Sequence, residues 1–243
     1  MTLVLTVLAG ALLAGFVSGL AGFGTGLVAL GLWLHVIDPR LAAPLVVICS
    51  VPAQLLSLLT LRHAFNWSRI WPFLLGGLIG VPLGTFALEH IEASAFRAAL
   101  GAFLVLYATF MLAARRLPVI RWGGRPADGA VGFGGGILGG AAGLSGPLPT
   151  IWCSLKGWSK DEQRAVFQPF NLAVLSWALV SYGLQGVLSA EVGRLGLIAL
   201  PGTLIGVWIG IKAYGRVDER QFRLIVLWLL LASGATLTLS NLI

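Results

Sequence analysis

The sequence predicts an all-α integral membrane protein made of two inverted four-helix repeats, each opening with a broken, re-entrant helical hairpin. Three observations predict it. Hydrophobic residues make up 58% of the 243 positions and charged residues only 10%, which leaves no polar shell for a water-soluble globule. The apolar residues fall into eight runs separated by short charged turns, and the first and fifth runs carry glycine breaks in their interiors. The two halves also match each other residue by residue when one is displaced along the other.

The runs cover about residues 3–36, 41–61, 70–88, 95–113, 129–155, 165–188, 195–213 and 221–240. A membrane helix needs about 20 residues, so the second to fourth runs and the last three are single spans. The first and fifth are too long for one crossing and too short for two full crossings with a turn. They read as hairpins that enter the membrane, turn within it and leave on the side they entered. The length allows about eight or nine spanning or half-spanning segments and no soluble domain. It divides into a first transmembrane repeat at 1–114, a basic linker at 115–127 and a second transmembrane repeat at 128–243.

Charge distribution favours the hairpins, because cytoplasmic loops carry the excess of Lys and Arg. If every run crossed once, the 16 basic residues would divide almost evenly. With two re-entrant runs, only Arg40, Arg97 and Arg194 fall on one side and the other 13 collect opposite them. This arrangement puts both termini outside and the linker "RRLPVIRWGGRP", residues 115–126, in the cytoplasm. The net charge of +7 therefore marks sidedness, and no nucleic-acid partner is expected. The first basic residue is Arg40, so the amino terminus lacks a signal-peptide pattern and Met1 to Gly19 are expected to remain. Cys49 and Cys153 lie in apolar runs and are expected to be buried thiols.

A shift of 121 places "AGFGTG", Ala21 to Gly26, on "AGLSGP", Ala142 to Pro147, and Gly15, Gly19 and Ser50 on Gly136, Gly140 and Asn171. A shift of 126 places "GLIGVPLG", Gly77 to Gly84, on "TLIGVWIG", Thr203 to Gly210. With hairpins, each half makes an odd number of net crossings, so the second half is inserted upside down. Such inverted repeats hold substrate at their interface near the membrane midplane.

The breaks define the candidate site. Backbone that leaves a helix within hydrocarbon exposes unpaired N–H and C=O groups unless it is buried in protein or lines a wet cavity. In "GLSGPLP" Ser145 is placed to cap a helix entered at Pro147, and in "GFGTG" Thr25 is placed to do the same from the opposite direction. Two helix amino termini meeting near the midplane form an anion site without a buried cation. The candidate substrate-binding residues are Gly22, Phe23, Gly24, Thr25 and Gly26 from the first break, and Gly143, Leu144, Ser145 and Gly146 from the second. Ser50 with Gln54, and Gln168 with Asn171, share helix faces at the same depth and join them. Pro52 and Pro169 interrupt those two helices nearby.

Gly15, Gly19, Gly76, Gly80, Gly84, Gly202, Gly206 and Gly210 recur every four residues and are expected to serve close helix packing. The nine acidic residues sit at span ends or in loops, so no mid-membrane carboxylate is available for cation or proton coupling. No catalytic motif appears, and His35, His63 and His90 lack metal-ligand spacing. No catalytic residue, metal or cofactor is expected. Trp67, Trp71, Trp122 and Trp158 fit an interfacial aromatic belt.

The hairpins "GLAGFGTG" and "GGAAGLSGPLPT", the four-plus-four organisation and the short basic linker together resemble the TauE/SafE family of membrane anion exporters over nearly the whole chain. The resemblance implies export of sulfite, sulfoacetate or a related organosulfonate across the cell inner membrane by alternating access. It makes the amides around Gly24 to Gly26 and Ser145 to Pro147 the substrate-binding elements. Many members carry a triple-glycine turn followed by Val-Pro, whereas this chain has "GFGTGLVAL" and "GLSGPLP", a departure that leaves the identity of the anion open. The expected partners are a small anionic substrate and the lipid bilayer, with the oligomeric state open. Two other readings fit the same residues: a scaffold that binds a partner through Arg115, Arg116, Arg121 and Arg125, and an anion channel.

Overall fold

The computed structural model describes residues 2–59, 65–113, 119–214, 216 and 219–239, and all regular structure among them is helical. The first half contains α1 (Thr2–Ala21), α2 (Thr25–Trp33), α3 (Pro39–Leu59), α4 (Trp67–His90) and α5 (Ala93–Ala113). The second contains α6 (Gly124–Ala142), α7 (Pro147–Leu155), α8 (Lys160–Leu184), α9 (Ala190–Ala213) and α10 (Glu219–Leu239). Six of these helices, α1, α3, α4, α5, α8 and α9, are long and apolar enough to cross a membrane. Their outward faces carry large apolar side chains, among them Leu59, Leu106, Leu184 and Leu197, each at least 70% exposed. Such surfaces suit hydrocarbon and would be costly in water. The protein is a multi-pass membrane protein.

Each glycine-broken run becomes a long helix followed by a short one. The first resolves into 20-residue α1 and nine-residue α2, the fifth into 19-residue α6 and nine-residue α7. At 1.5 Å per residue a nine-residue helix is about 13 Å long, under half of the roughly 30 Å hydrocarbon layer. The arms are therefore unequal, and α6 begins at Gly124, within the stretch expected to be linker. Backbone at the two breaks is alike. Gly22 and Gly143, 121 residues apart, both take positive φ (82° and 67°) and donate their N–H groups to Ser18 and Gly139 respectively. Side chains rarely adopt such torsions, which is why glycine stands at both positions.

Long helices pair across the halves. α1 packs on α9 and α6 on α4, contacts that exchange into each other when the halves are swapped, as do α3 on α9 and α8 on α4. Glycine stripes bring the backbones together. A Cβ added at Gly15, Gly19, Gly206 or Gly210 would lie 2.2–2.3 Å from a carbonyl oxygen of the facing helix. The same holds for Gly76, Gly80 and Gly84 against α6, and for Gly132, Gly136 and Gly140 of α6 against α4. Where lipid and protein interiors are equally apolar, this close approach supplies the dispersion that holds helices together.

Polar contacts sort the helix ends. Arg69 pairs with Glu162 at 2.8 Å, Arg125 donates to Ser68 at 3.2 Å and Lys156 donates to the Trp122 carbonyl at 3.1 Å. The starts of α4, α6 and α8 and the end of α7 thus share one end of the molecule. Arg40 donates to the Glu89 carbonyl at 3.1 Å, joining the start of α3 to the end of α4 at the other end. Arg62, His63, Arg115, Arg116 and Asp218 lie outside the described residues, as do the side chains of Lys160, Glu219, Arg220 and Arg223. Cys49 and Cys153 are buried free thiols. Asp128 sits in the second turn of α6, buried, and accepts a 2.7 Å hydrogen bond from Trp152 Nε1. The terminal position read from the sequence for this acid did not anticipate its burial.

Candidate functional site

The two breaks meet. A Cβ added at Gly26, the second residue of α2, would come 2.7 Å from the Gly143 carbonyl oxygen, and one at Gly146 would come 3.1 Å from Phe23. Between them lies a small cavity lined by Phe23, Gly24, Thr25, Gly26 and Leu27, by Gly143 to Pro147, and by Ser50, Gln54, Asn171 and Leu175. Twelve of these 14 residues form six pairs separated by 121: Phe23 with Leu144, Gly24 with Ser145, Thr25 with Gly146, Gly26 with Pro147, Ser50 with Asn171, and Gln54 with Leu175. Equivalent positions of the two halves therefore face one space.

Eleven of the 13 residues singled out from the sequence line this cavity; Gly22 and Gln168 do not. Gln168 points instead at the α1–α2 turn, where a Cβ on Gly22 would meet its Nε2 at 2.5 Å. Three turns of an α-helix separate α8's start from the cavity, and a three-residue step along α8 from Asn171 rotates Gln168 to the neighbouring face. Leu27, Pro147 and Leu175 line the cavity without having been singled out as site residues. Leu175 could have been found as the partner of Gln54 under the 121 shift.

Capping differs from expectation at both breaks. Gly146, not Ser145, occupies the cap position of α7, and no side chain caps it. The Ser145 hydroxyl donates instead to Asn171 Oδ1 at 2.9 Å, tying the second break to α8. Gly24 caps α2 in a left-handed conformation, again without a side-chain bond, and Thr25 is the first helical residue. The amino termini are also unequal as donors. The first N–H groups of a helix have no acceptor within it, so Thr25, Gly26 and Leu27 offer three. In α7 the first and third residues, Pro147 and Pro149, carry no N–H, leaving the amide of Leu148 in the first turn.

Side chains add further polar groups without a fixed charge among the lining residues. Thr25, Ser50, Gln54, Ser145 and Asn171 are each at most 3% exposed. Thr25 Oγ1, Ser50 Oγ and Gln54 Oε1 have no hydrogen-bond partner, so Ser50 does not bond back to its own helix. Leaving a buried polar atom unmatched costs about 1–3 kcal/mol, an arrangement that makes sense where a ligand supplies the match. The cavity measures about 10 Å³, room for about one water. Admitting an anion requires the two breaks to part.

A family model described as sulfite exporter TauE/SafE matches residues 7–237. The chain belongs to that family, a family of membrane transporters. No curated protein and no solved structure matches it.

Proposed function

With membership of the TauE/SafE family as the premise, we propose that the protein exports a small sulfur-containing anion, sulfite or a small organosulfonate, across the inner membrane. The observation that carries this reading is the cavity between the breaks. There two helix amino termini and the unpartnered groups of Thr25 and Ser50 converge, and no carboxylate is among the lining residues. Amide dipoles and hydroxyls bind negative charge without a competing cation. They also let it go, because no ion pair has to be broken.

Each half enters the membrane with a re-entrant hairpin, and the second half is inverted relative to the first. The six pairs separated by 121 support this arrangement, as does the exchange symmetry of the helix packing. Both termini lie outside, and the basic end of the molecule faces the cytoplasm. Rocking of the halves opens the cavity to one side at a time. The inside-negative potential drives a monoanion outward by about 2.3 kcal/mol per 100 mV, so export proceeds without a coupling carboxylate.

Efflux of radiolabelled sulfite from proteoliposomes at a set membrane potential tests the reading. Saturable, voltage-dependent efflux that is lost in Asn171→Ala and in Ser145→Pro is the expected result. Folded protein that moves neither sulfite nor any of a panel of small sulfonates overturns it.

A further inference from the structure

A second and much larger cavity lies beside the first, sharing Phe23, Gly24 and Leu27 with it. Its volume is about 330 Å³, within the roughly 300–1,000 Å³ of small-molecule sites. It sits at the basic end, between the turn after α1, the ends of α5 and α7, the start of α8 and Tyr214. Most of its wall is aliphatic, including Val17, Leu20, Val28, Leu227 and Leu230. One charged side chain lines it, Arg164 in the second turn of α8, accompanied by Gln163 and Thr150.

Arg164 is not consumed by the fold. Its guanidinium lies over the Tyr214 ring, 4.5 Å from the centroid, and its buried Nε has no hydrogen-bond partner. Thr150 Oγ1 is buried and unpartnered as well. Stacking on the tyrosine holds the planar fork still, a geometry suited to a carboxylate or sulfonate. A bare oxyanion would use the guanidinium and gain nothing from the aliphatic wall. An anion with a hydrocarbon tail would use both.

We propose that this cavity is a separate binding site for an anion carrying an aliphatic tail, its head group on Arg164 and Thr150 and its tail along Val28, Leu227 and Leu230. The Phe23 and Phe167 rings, edge to face at 5.6 Å, stand between this site and the small cavity. The proposal rests on the transport reading only for its position on the path to the small cavity; binding itself is independent of it. Two sources offer this ligand chemistry, a free short-chain organic anion and an anionic lipid.

Titration calorimetry of the protein in phosphatidylcholine nanodiscs with propane-, butane- and hexanesulfonate tests the site. Affinity should rise with chain length, up to about fourfold per methylene at full burial. Arg164→Gln should weaken hexanesulfonate at least tenfold, with Arg164→Lys falling between. Val28→Phe, which fills the cavity and leaves the guanidinium, should remove the dependence on chain length. Thermal melts identify folded variants. Affinity that ignores chain length in the parent protein, or that survives Arg164→Gln in folded protein, overturns the proposal. Nanodiscs containing phosphatidylglycerol separate the two sources: unchanged hexanesulfonate affinity supports a free anion, and competitive loss gives the same Arg164 site to lipid. Asn171→Ala should keep hexanesulfonate binding while losing sulfite flux. A chain-length series that stands in a protein with no flux would sink the transport reading and leave this site intact.

Discussion

The Ser145 hydroxyl donates to the Asn171 side-chain oxygen at 2.9 Å, both groups buried, and so fixes the second break to the middle of α8. Asn171→Ala removes the acceptor and leaves Ser145 unmatched at a cost of about 1–3 kcal/mol. Asn171→Asp keeps the acceptor and adds a negative charge where an anion is to bind, a repulsion of about 4 kcal/mol at 4 Å in partly buried surroundings. Sulfite efflux should fall about a hundredfold or more in the aspartate variant, with the melting temperature changed less than in the alanine variant. Equal flux in aspartate and parent proteins would remove the anion from this cavity.

Gly26 tests whether the breaks have to move past each other. The contact of its missing Cβ with the Gly143 carbonyl, at 2.7 Å, leaves no space for a methyl group. Gly26→Ala should therefore separate the breaks and lower sulfite efflux at least tenfold, whereas Gly193→Ala, with nothing within 4 Å, should leave it unchanged. Wild-type flux from Gly26→Ala would show that the close contact is not part of the cycle.

Packing and transport separate at the glycine stripes. A Cβ at Gly206 would lie 2.2 Å from the Leu12 carbonyl, far from the cavity. Overpacking of this kind typically costs about 1–3 kcal/mol, so Gly206→Ala should lower the melting temperature measured by tryptophan fluorescence. Efflux per folded molecule should change little. A stable Gly206→Ala protein would mean that α1 and α9 are not held by this stripe.

Sidedness can be read with cysteines. Cys49 and Cys153 are fully buried and give little labelling background. Trp122→Cys, at the end shared by α6, α7 and α8, should react only with reagent from the cytoplasmic side, and Ile91→Cys, after α4, only from outside. Labelling of both from one side would overturn the two-hairpin topology.

Much of this arrangement was legible because it depends on residue types that have one physical use. Gly22 and Gly143 stand where φ is positive, and the four-residue glycine stripes stand where backbones touch. Both follow from the absence of a side chain, which a sequence displays directly. The cavity was legible through the repeat, because two copies of one pattern must present equivalent residues to a common axis. The cap at the second break was not legible. Ser145 has the right chemistry to cap α7, but Asn171, which competes for its hydroxyl, is 26 residues away and close only in space. The larger cavity was equally hidden. Arg164 reads as one more basic residue at a span end, and only the approach of Tyr214 and the α1–α2 turn makes it a wall of that space.

The pairing of α1 with α9 bears on how the chain is made. The helix whose glycines receive α1 begins at Ala190, so nearly 190 residues must be synthesised before α1 can reach its partner. At about 5–20 residues per second, the first helix waits roughly 10–40 s in the bilayer with its small-residue face uncovered. During that interval it is exposed to every other helix that offers a matching groove. Neither half can complete its own interior, and a halfway-truncated product is expected to be a substrate for membrane quality control rather than a smaller working unit.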